Sequence, residues 1–140
     1  MIRKFQQTDM DHILAIWLEA SIQAHSFVAR EFWESKIDDM REIYLPTSET
    51  YVYEDAGIIK GFIALYKNTI AALFVSPSHQ SLGIGKQLIA KSKEIRSELT
   101  LTVYKANHNS TNFYKQRGFK IMHEQIDTHT DCPELFMIFP

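Results

Sequence analysis

A single cysteine, Cys132, is all this chain contains, which excludes an internal disulfide and fits a reducing compartment. No apolar run approaches the ~20 residues that a membrane span needs. The opening MIRKFQQTDMD also lacks the long apolar core of a secretory signal, so a cytoplasmic protein is expected. Neither sign of charge dominates: 15 Lys and Arg stand against 17 Asp and Glu, a formal net charge of −2. Basic residues are scattered, without the density of a nucleic-acid-binding stripe or a global pull toward anionic lipid, so neither nucleic acid nor membrane is expected as a partner. Metal-ligand spacing is missing too. His123, His129 and Cys132 lie close together, but no Cys-x-x-Cys or His-Glu-x-x-His accompanies them, and no metal is expected. There are no repeats, low-complexity tracts or Gly/Ser linkers. With 45% hydrophobic and 23% charged residues, the chain reads as one globular domain over residues 1–140.

What is present reads as alternating helix and strand signals. Residues 2–5 predict a short strand. Thr8, with Asp11 three residues on, approximates a capping box; Met10, Ile13, Leu14, Trp17 and Ala20 then keep helical spacing over 9–23. Phe32, Trp33, Ile37, Met40 and Ile43–Tyr44 predict a second helix over 29–43, ended by Pro46. The period then falls to two over 50–53 and 59–66, with Asp55-Ala56-Gly57 as hairpin chemistry. Residues 70–75 are apolar throughout and predict a central strand covered on both faces. A third helix buries Ile84, Leu88, Ile89 and Ile95. Leu99, Leu101 and Val103 alternate with Thr100, Thr102 and Tyr104 as a strand. A fourth helix covers 110–117, stopped by Gly118, and strands at 119–126 and 134–139 close the chain. The order is βααβββαβαββ, an α/β domain with a mixed sheet. The apolar run Leu135–Phe139 offers a strand that could pair between subunits, a route to a homodimer.

The most informative stretch is VSPSHQSLGIGKQL, residues 75–88. A strand ends at Pro77, and a Gln-x-x-Gly-x-Gly turn (Gln80, Gly83, Gly85) opens a helix. Glycines let the backbone approach a ligand closely, and the free N–H groups of a helix's first turn suit a phosphate. A Walker loop is excluded, because Gln80 stands at its first glycine position and Gln87 follows Lys86. A dinucleotide fingerprint is excluded by Leu88 at its third glycine.

This stretch resembles the acetyl-CoA-binding motif of the GNAT N-acetyltransferases, Gln/Arg-x-x-Gly-x-Gly/Ala. A second match follows in NHNSTNFYKQRGF: Asn107, Tyr114 seven residues later, and Gly118-Phe119. His25-Ser26-Phe27 is similar to the His-x-Phe of the small bacterial YiaC/YjaB-type branch. The resemblance implies a GNAT fold, a mixed and mostly antiparallel central sheet with four helices. It also implies that the strands ending at Val75 and Tyr104 splay apart, with acetyl-CoA as acetyl donor. The pyrophosphate would lie on the backbone of Ser81, Leu82, Gly83, Ile84, Gly85 and Lys86, with Gln80 as a further donor. Phe74 and Val75 would hold the pantetheine by their backbones, Asn107 would hydrogen-bond the pantetheine or fix the loop, and Ser110 would contact the phosphates or cap the helix. Tyr114, a phenol protonated at neutral pH, would be the general acid for the departing thiolate. Phe27 and Trp33 would line the acceptor pocket. The general base stays open among His25, Glu19, Glu54, His123, Asp127 and an ordered water, with His25 carrying the family match and a substrate-contacting position. The implied activity is direct transfer of acetyl to a primary amine in a ternary complex; the acceptor is a small molecule, a peptide or a protein. A non-catalytic acyl-CoA-binding sensor is the alternative.

Overall fold

The computed structural model describes residues 1–140. Its strands are β1 (Ile2–Lys4), β2 (Glu49–Asp55), β3 (Ile58–Tyr66), β4 (Thr69–Val75), β5 (Leu99–Tyr104), β6 (Lys120–Asp127) and β7 (Cys132–Phe139). The helices are α1 (Met10–Ala24), α2 (Arg30–Ser35), the short α3 (Ile37–Asp39), α4 (Ile84–Ile95) and α5 (His108–Gln116). All seven strands form one sheet in the order β1-β2-β3-β4-β5-β7-β6. Alternation along the strands divides the core in two. Ile63 and Leu65 of β3 face Leu88, Ile89, Leu101 and Met137 on one side. Phe62 and Ala64 face Ile13, Leu14, Trp17 and Trp33 on the other. This is the α/β GNAT fold that the sequence implies. No helix is long and apolar enough to cross a membrane.

Every strand contact is antiparallel except that of β4 with β5, which are parallel and meet only at Thr69 and Thr100. Beyond that point they diverge. Just after the contact, the register of β4 against β3 slips: Ile70 opposes Leu65 and Ala72 opposes Ala64, leaving Ala71 as an extra residue. Such a bulge bends its strand and sharpens the local twist. The edge of β4 that faces β5 is therefore unpaired beyond the bulge. Ala71 is exposed there, so β4 is not covered on both faces as its apolar run predicts.

Four further expectations are corrected. Thr8 and Asp11 do not cap α1. The chain enters through a 3-10 turn, Gln7–Asp9, whose Asp9 carboxylate accepts the Gln6 N–H at 2.8 Å. The Arg3 guanidinium clamps that carboxylate at 2.8 and 2.9 Å and reaches Glu54 at 2.7 Å. The single helix expected over 29–43 is broken: α2 stops at Ser35, and α3 passes into a π-helical turn, Met40–Tyr44. The wider turn advances the register, burying Leu45 and leaving Ile43 and Tyr44 exposed. The fourth long helix, α5, starts two residues early because Asn107 caps it: Asn107 Oδ1 accepts the Ser110 N–H at 3.3 Å. Ser110 is thus the capped residue rather than the cap. Finally, Leu135–Phe139 cannot pair between subunits, because β7 is hydrogen-bonded to β5 on one side and β6 on the other. The hairpin at Ala56-Gly57 has φ of +53° and +77°, as a tight two-residue turn requires.

Candidate active site

The divergence of β4 from β5 opens a cleft of about 1230 Å³. Its walls are the second half of α1 with His25 and Trp33, β4 from Ile70 to Val75, the loop and helix start at residues 79–81 and 83–86, β5 from Leu101, and one face of α5 with its flanking residues. Gln80, Ser81, Gly83, Ile84, Gly85, Lys86, Phe74, Val75, Asn107, Ser110 and Tyr114 all line it. Leu82 does not. Its side chain is 64% exposed, and it serves the loop through its backbone alone.

The loop is built by backbone geometry. Ser81 and Gly83 take φ of +67° and +81°, a left-handed region that glycine enters freely. The Gln80 side chain does not reach out of the loop: its Nε2 donates to the Val75 carbonyl at 3.3 Å, tying the loop to the end of β4. The first helical bond of α4 runs from the Gln87 N–H to Gly83. The N–H groups of the preceding residues have no intrahelical acceptor and lie at the positive end of the helix. The two glycines differ in purpose. A Cβ on Gly83 would meet nothing within 4 Å, whereas one on Gly85 would lie 3.3 Å from Cζ of Phe113. Gly83 therefore serves the loop dihedral and Gly85 the approach of α5 to α4. Lys86 and Arg117 add positive charge to the wall.

Tyr114 projects from α5 with its ring edge-on to Phe113 and Phe119, at 5.4 and 5.7 Å between centroids. Burial alone shifts its phenol, upward, and no hydrogen bond or charge within the protein contributes. The hydroxyl stays protonated at neutral pH.

At the inner end of the cleft stands His25, 8% exposed. Its ring packs against Tyr104, Trp33 and Phe27 at 5.0, 5.3 and 5.7 Å. Its Nε2 lies 3.2 Å from Asn107 Nδ2. Because the amide oxygen of Asn107 already takes the Ser110 N–H, its NH₂ donates to the imidazole. That assigns the proton of a neutral ring to Nδ1, which is buried without a partner. Burial pushes the His25 pKa down to about 4. Phe27 packs on Tyr104 at 5.3 Å, half in solvent, and lines neither cavity described here.

A second cavity, of about 340 Å³, adjoins the cleft. It shares Trp33, Ala71, Ala72, Tyr104 and Asp127 with the cleft. In the sequence Tyr104 is marked only as an alternating strand residue. Its hydroxyl donates to Asp127 Oδ2 at 2.6 Å, and Asp127 Oδ1 accepts the His129 N–H at 2.9 Å. The only signal was positional, since Tyr104 ends a strand expected to splay. Of the other residues considered as bases, Glu19 is exposed, Glu54 is tied to Arg3, and His123 stacks on Phe136 at 5.1 Å. None of the three lines either cavity.

Residues 11–130 match the acetyltransferase (GNAT) domain family. The chain is 33% identical over 141 residues to the peptidyl-lysine N-acetyltransferase YiaC of Escherichia coli K12, covering 100% of this chain and 97% of that protein. It is 27% identical to the peptidyl-lysine N-acetyltransferase YjaB of the same strain, over 86% of this chain and 82% of the relative. The solution structure of apo YjaB from Escherichia coli superposes with a TM-score of 0.86 at 26% identity, covering 99% and 96% of the two chains.

Proposed function

Given that the chain belongs to the GNAT acetyltransferase family, we propose that it transfers acetyl from acetyl-CoA directly to a lysine side chain of a peptide or protein, in a ternary complex. The observation that carries this reading is the meeting of the two cavities at Trp33, Ala71, Ala72, Tyr104 and Asp127. Donor and acceptor entering by these two adjoining cavities meet there without a covalent carrier. Cys132 lines neither cavity, which argues against an acetyl-cysteine intermediate.

Each group has a role in this reading. The free N–H groups at the start of α4 hold the pyrophosphate. The unpaired edge of β4 takes the pantetheine amides as an added strand would, and one of its N–H groups faces the developing oxyanion. Such a donor is typically worth about 3 kcal/mol in the transition state. The attacking amine must be neutral, so the lysine ammonium sheds one proton to the medium first. The C–N bond then forms, the C–S bond breaks, the second amine proton passes to solvent water, and Tyr114 protonates the departing sulfur. His25, with its pKa near 4, is a poor proton acceptor at neutral pH. We assign it to positioning: through Asn107 it ties the end of α1 to the cap of α5, the helix that carries Tyr114.

The test is CoA release with an internal-lysine peptide, comparing wild type with Tyr114→Phe. The expected result is a fall in kcat on the order of 10²-fold with acetyl-CoA affinity unchanged, as loss of a general acid predicts. An unchanged kcat would remove Tyr114 from the reaction.

A further inference from the structure

The second cavity contains a charge without a partner. Its walls are mostly apolar, with Phe32, Trp33, Met40, Tyr44 and Leu45 contributing rings and aliphatic chains. Asp127 stands where this space opens into the cleft and lines both. The carboxylate is fixed in place, with Oδ2 held by the Tyr104 hydroxyl and Oδ1 by the His129 N–H. Each oxygen still has acceptor capacity. Burial opposes ionisation of Asp127, but the bonds from Tyr104 and the His129 backbone outweigh it, and the carboxyl is held below its usual range. None of the ion pairs in the protein includes it. Lys36, on the same wall, keeps its Nζ 5.5 Å over the Phe32 ring instead. An ionised carboxylate with open acceptor positions is a ready partner for an incoming cationic donor.

We propose that this cavity is the acceptor site, and that Asp127 is the specificity-determining residue that pairs with the ammonium of an incoming lysine while its methylene stem lies along the apolar walls. The proposal rests on the acetyl-transfer reading above and names the acceptor end of that site. The shape supports this choice of occupant. A lysine buries its stem on apolar surface and keeps its charge at a polar end, and this cavity is mostly apolar, with Asp127 its one acidic residue and Lys36, Ser48 and His129 its other polar lining. At about 340 Å³, it lies at the small end of ligand pockets and has room for a lysine side chain. Asp127 binds and aligns the arriving ammonium; the amine then sheds one proton to the medium before it attacks, and the transferred acetyl and the sulfur's proton are handled from the cleft side.

The experiment compares wild type with Asp127→Asn, using a terminally blocked peptide with one internal lysine and CoA release as readout. The acetyl-CoA thermal shift is measured alongside. The expected result is a KM for the peptide raised on the order of tenfold or more, as for loss of one partner of a close charge pair. The change in kcat should stay within about threefold, and the acetyl-CoA shift should persist. An unchanged KM, or a fall in kcat alone, overturns the assignment. If Asp127→Asn loses the acetyl-CoA shift through misfolding, wild type decides. The same peptide with norleucine for lysine keeps the stem and drops the charge. It should inhibit with a KI at least about tenfold above the lysine peptide's KM, and equal values overturn the proposal. Failure of the broader reading has a different signature: wild type that releases no CoA with any lysine peptide while acetyl-CoA still raises its Tm.

Discussion

At the scale of single residues, His25 shows how burial changes what a side chain can do. Histidine is ordinarily the group that titrates near neutral pH, yet here it sits among three aromatic rings with its pKa pushed down to about 4. The fold binds the neutral form, so the unfolded chain takes up a proton sooner than the folded one as pH falls. The resulting stability is fully present above about pH 6.5 and is lost progressively toward pH 4. The loss by pH 4 is ~3 kcal/mol by linkage. His25→Gln, which can still accept from Asn107, should flatten that part of the curve of Tm against pH. An acid limb of unchanged steepness in the variant would show that His25 is not its source. The same depression implies that kcat/KM between pH 5.5 and 8 carries no titration belonging to His25. The family match at His25-Ser26-Phe27 was legible in the sequence; that the imidazole lies in an aromatic shell was not, because Trp33 and Tyr104 reach it from α2 and β5.

At the scale of elements, the entry to α1 depends on a charge cluster that joins three parts of the chain. Arg3 on β1 clamps Asp9 in the turn before α1 and Glu54 on β2. Asp9 is 4% exposed, and its carboxyl is held below the ordinary range by the Arg3 hydrogen bonds. Removing one partner of a largely buried pair leaves the other charge uncompensated. Asp9→Ala should therefore cost about 2–3 kcal/mol in urea unfolding, while leaving acetyl-CoA binding intact once folded, since Asp9 does not line the cleft. A cost below about 0.5 kcal/mol would mean that the cluster is a solvent-screened surface pair. Thr8 was the more obvious cap in the sequence. The structure selects Asp9 because Arg3 reaches it from β1, a partnership set by strand packing rather than by local spacing. The broken second helix was hidden for a similar reason. Its apolar positions fit an α-helix through Tyr44, and only the π-helical turn, which places Leu45 in the core, reveals the change of register.

At the scale of the whole molecule, the function turns on one topological fact, that parallel β4 and β5 touch only at Thr69 and Thr100. The motifs legible in the sequence (the glycine turn, Asn107 and Tyr114) all lie on the cleft side of that opening. Tyr104 and Asp127 meet only because the order β5-β7-β6 folds residues 23 apart in sequence onto one face, and no local pattern records that order. Acceptor chemistry was therefore the part least readable in advance. If the two cavities do communicate through the sheet, plugging the passage should separate binding from turnover. Ala71, the bulged residue, is exposed and lines both spaces, so Ala71→Phe extends into open volume rather than into the core. The pyrophosphate loop is untouched by that change. At about 100 times Kd, CoA should still add ~2.7 kcal/mol of stability, seen as several degrees in Tm. Lysine-peptide acetylation should fall by more than about 10²-fold, because a displacement of the reacting groups on the order of 1 Å is enough for such a loss. Retained turnover with a retained CoA shift would place the meeting point of donor and acceptor somewhere other than the gap between β4 and β5.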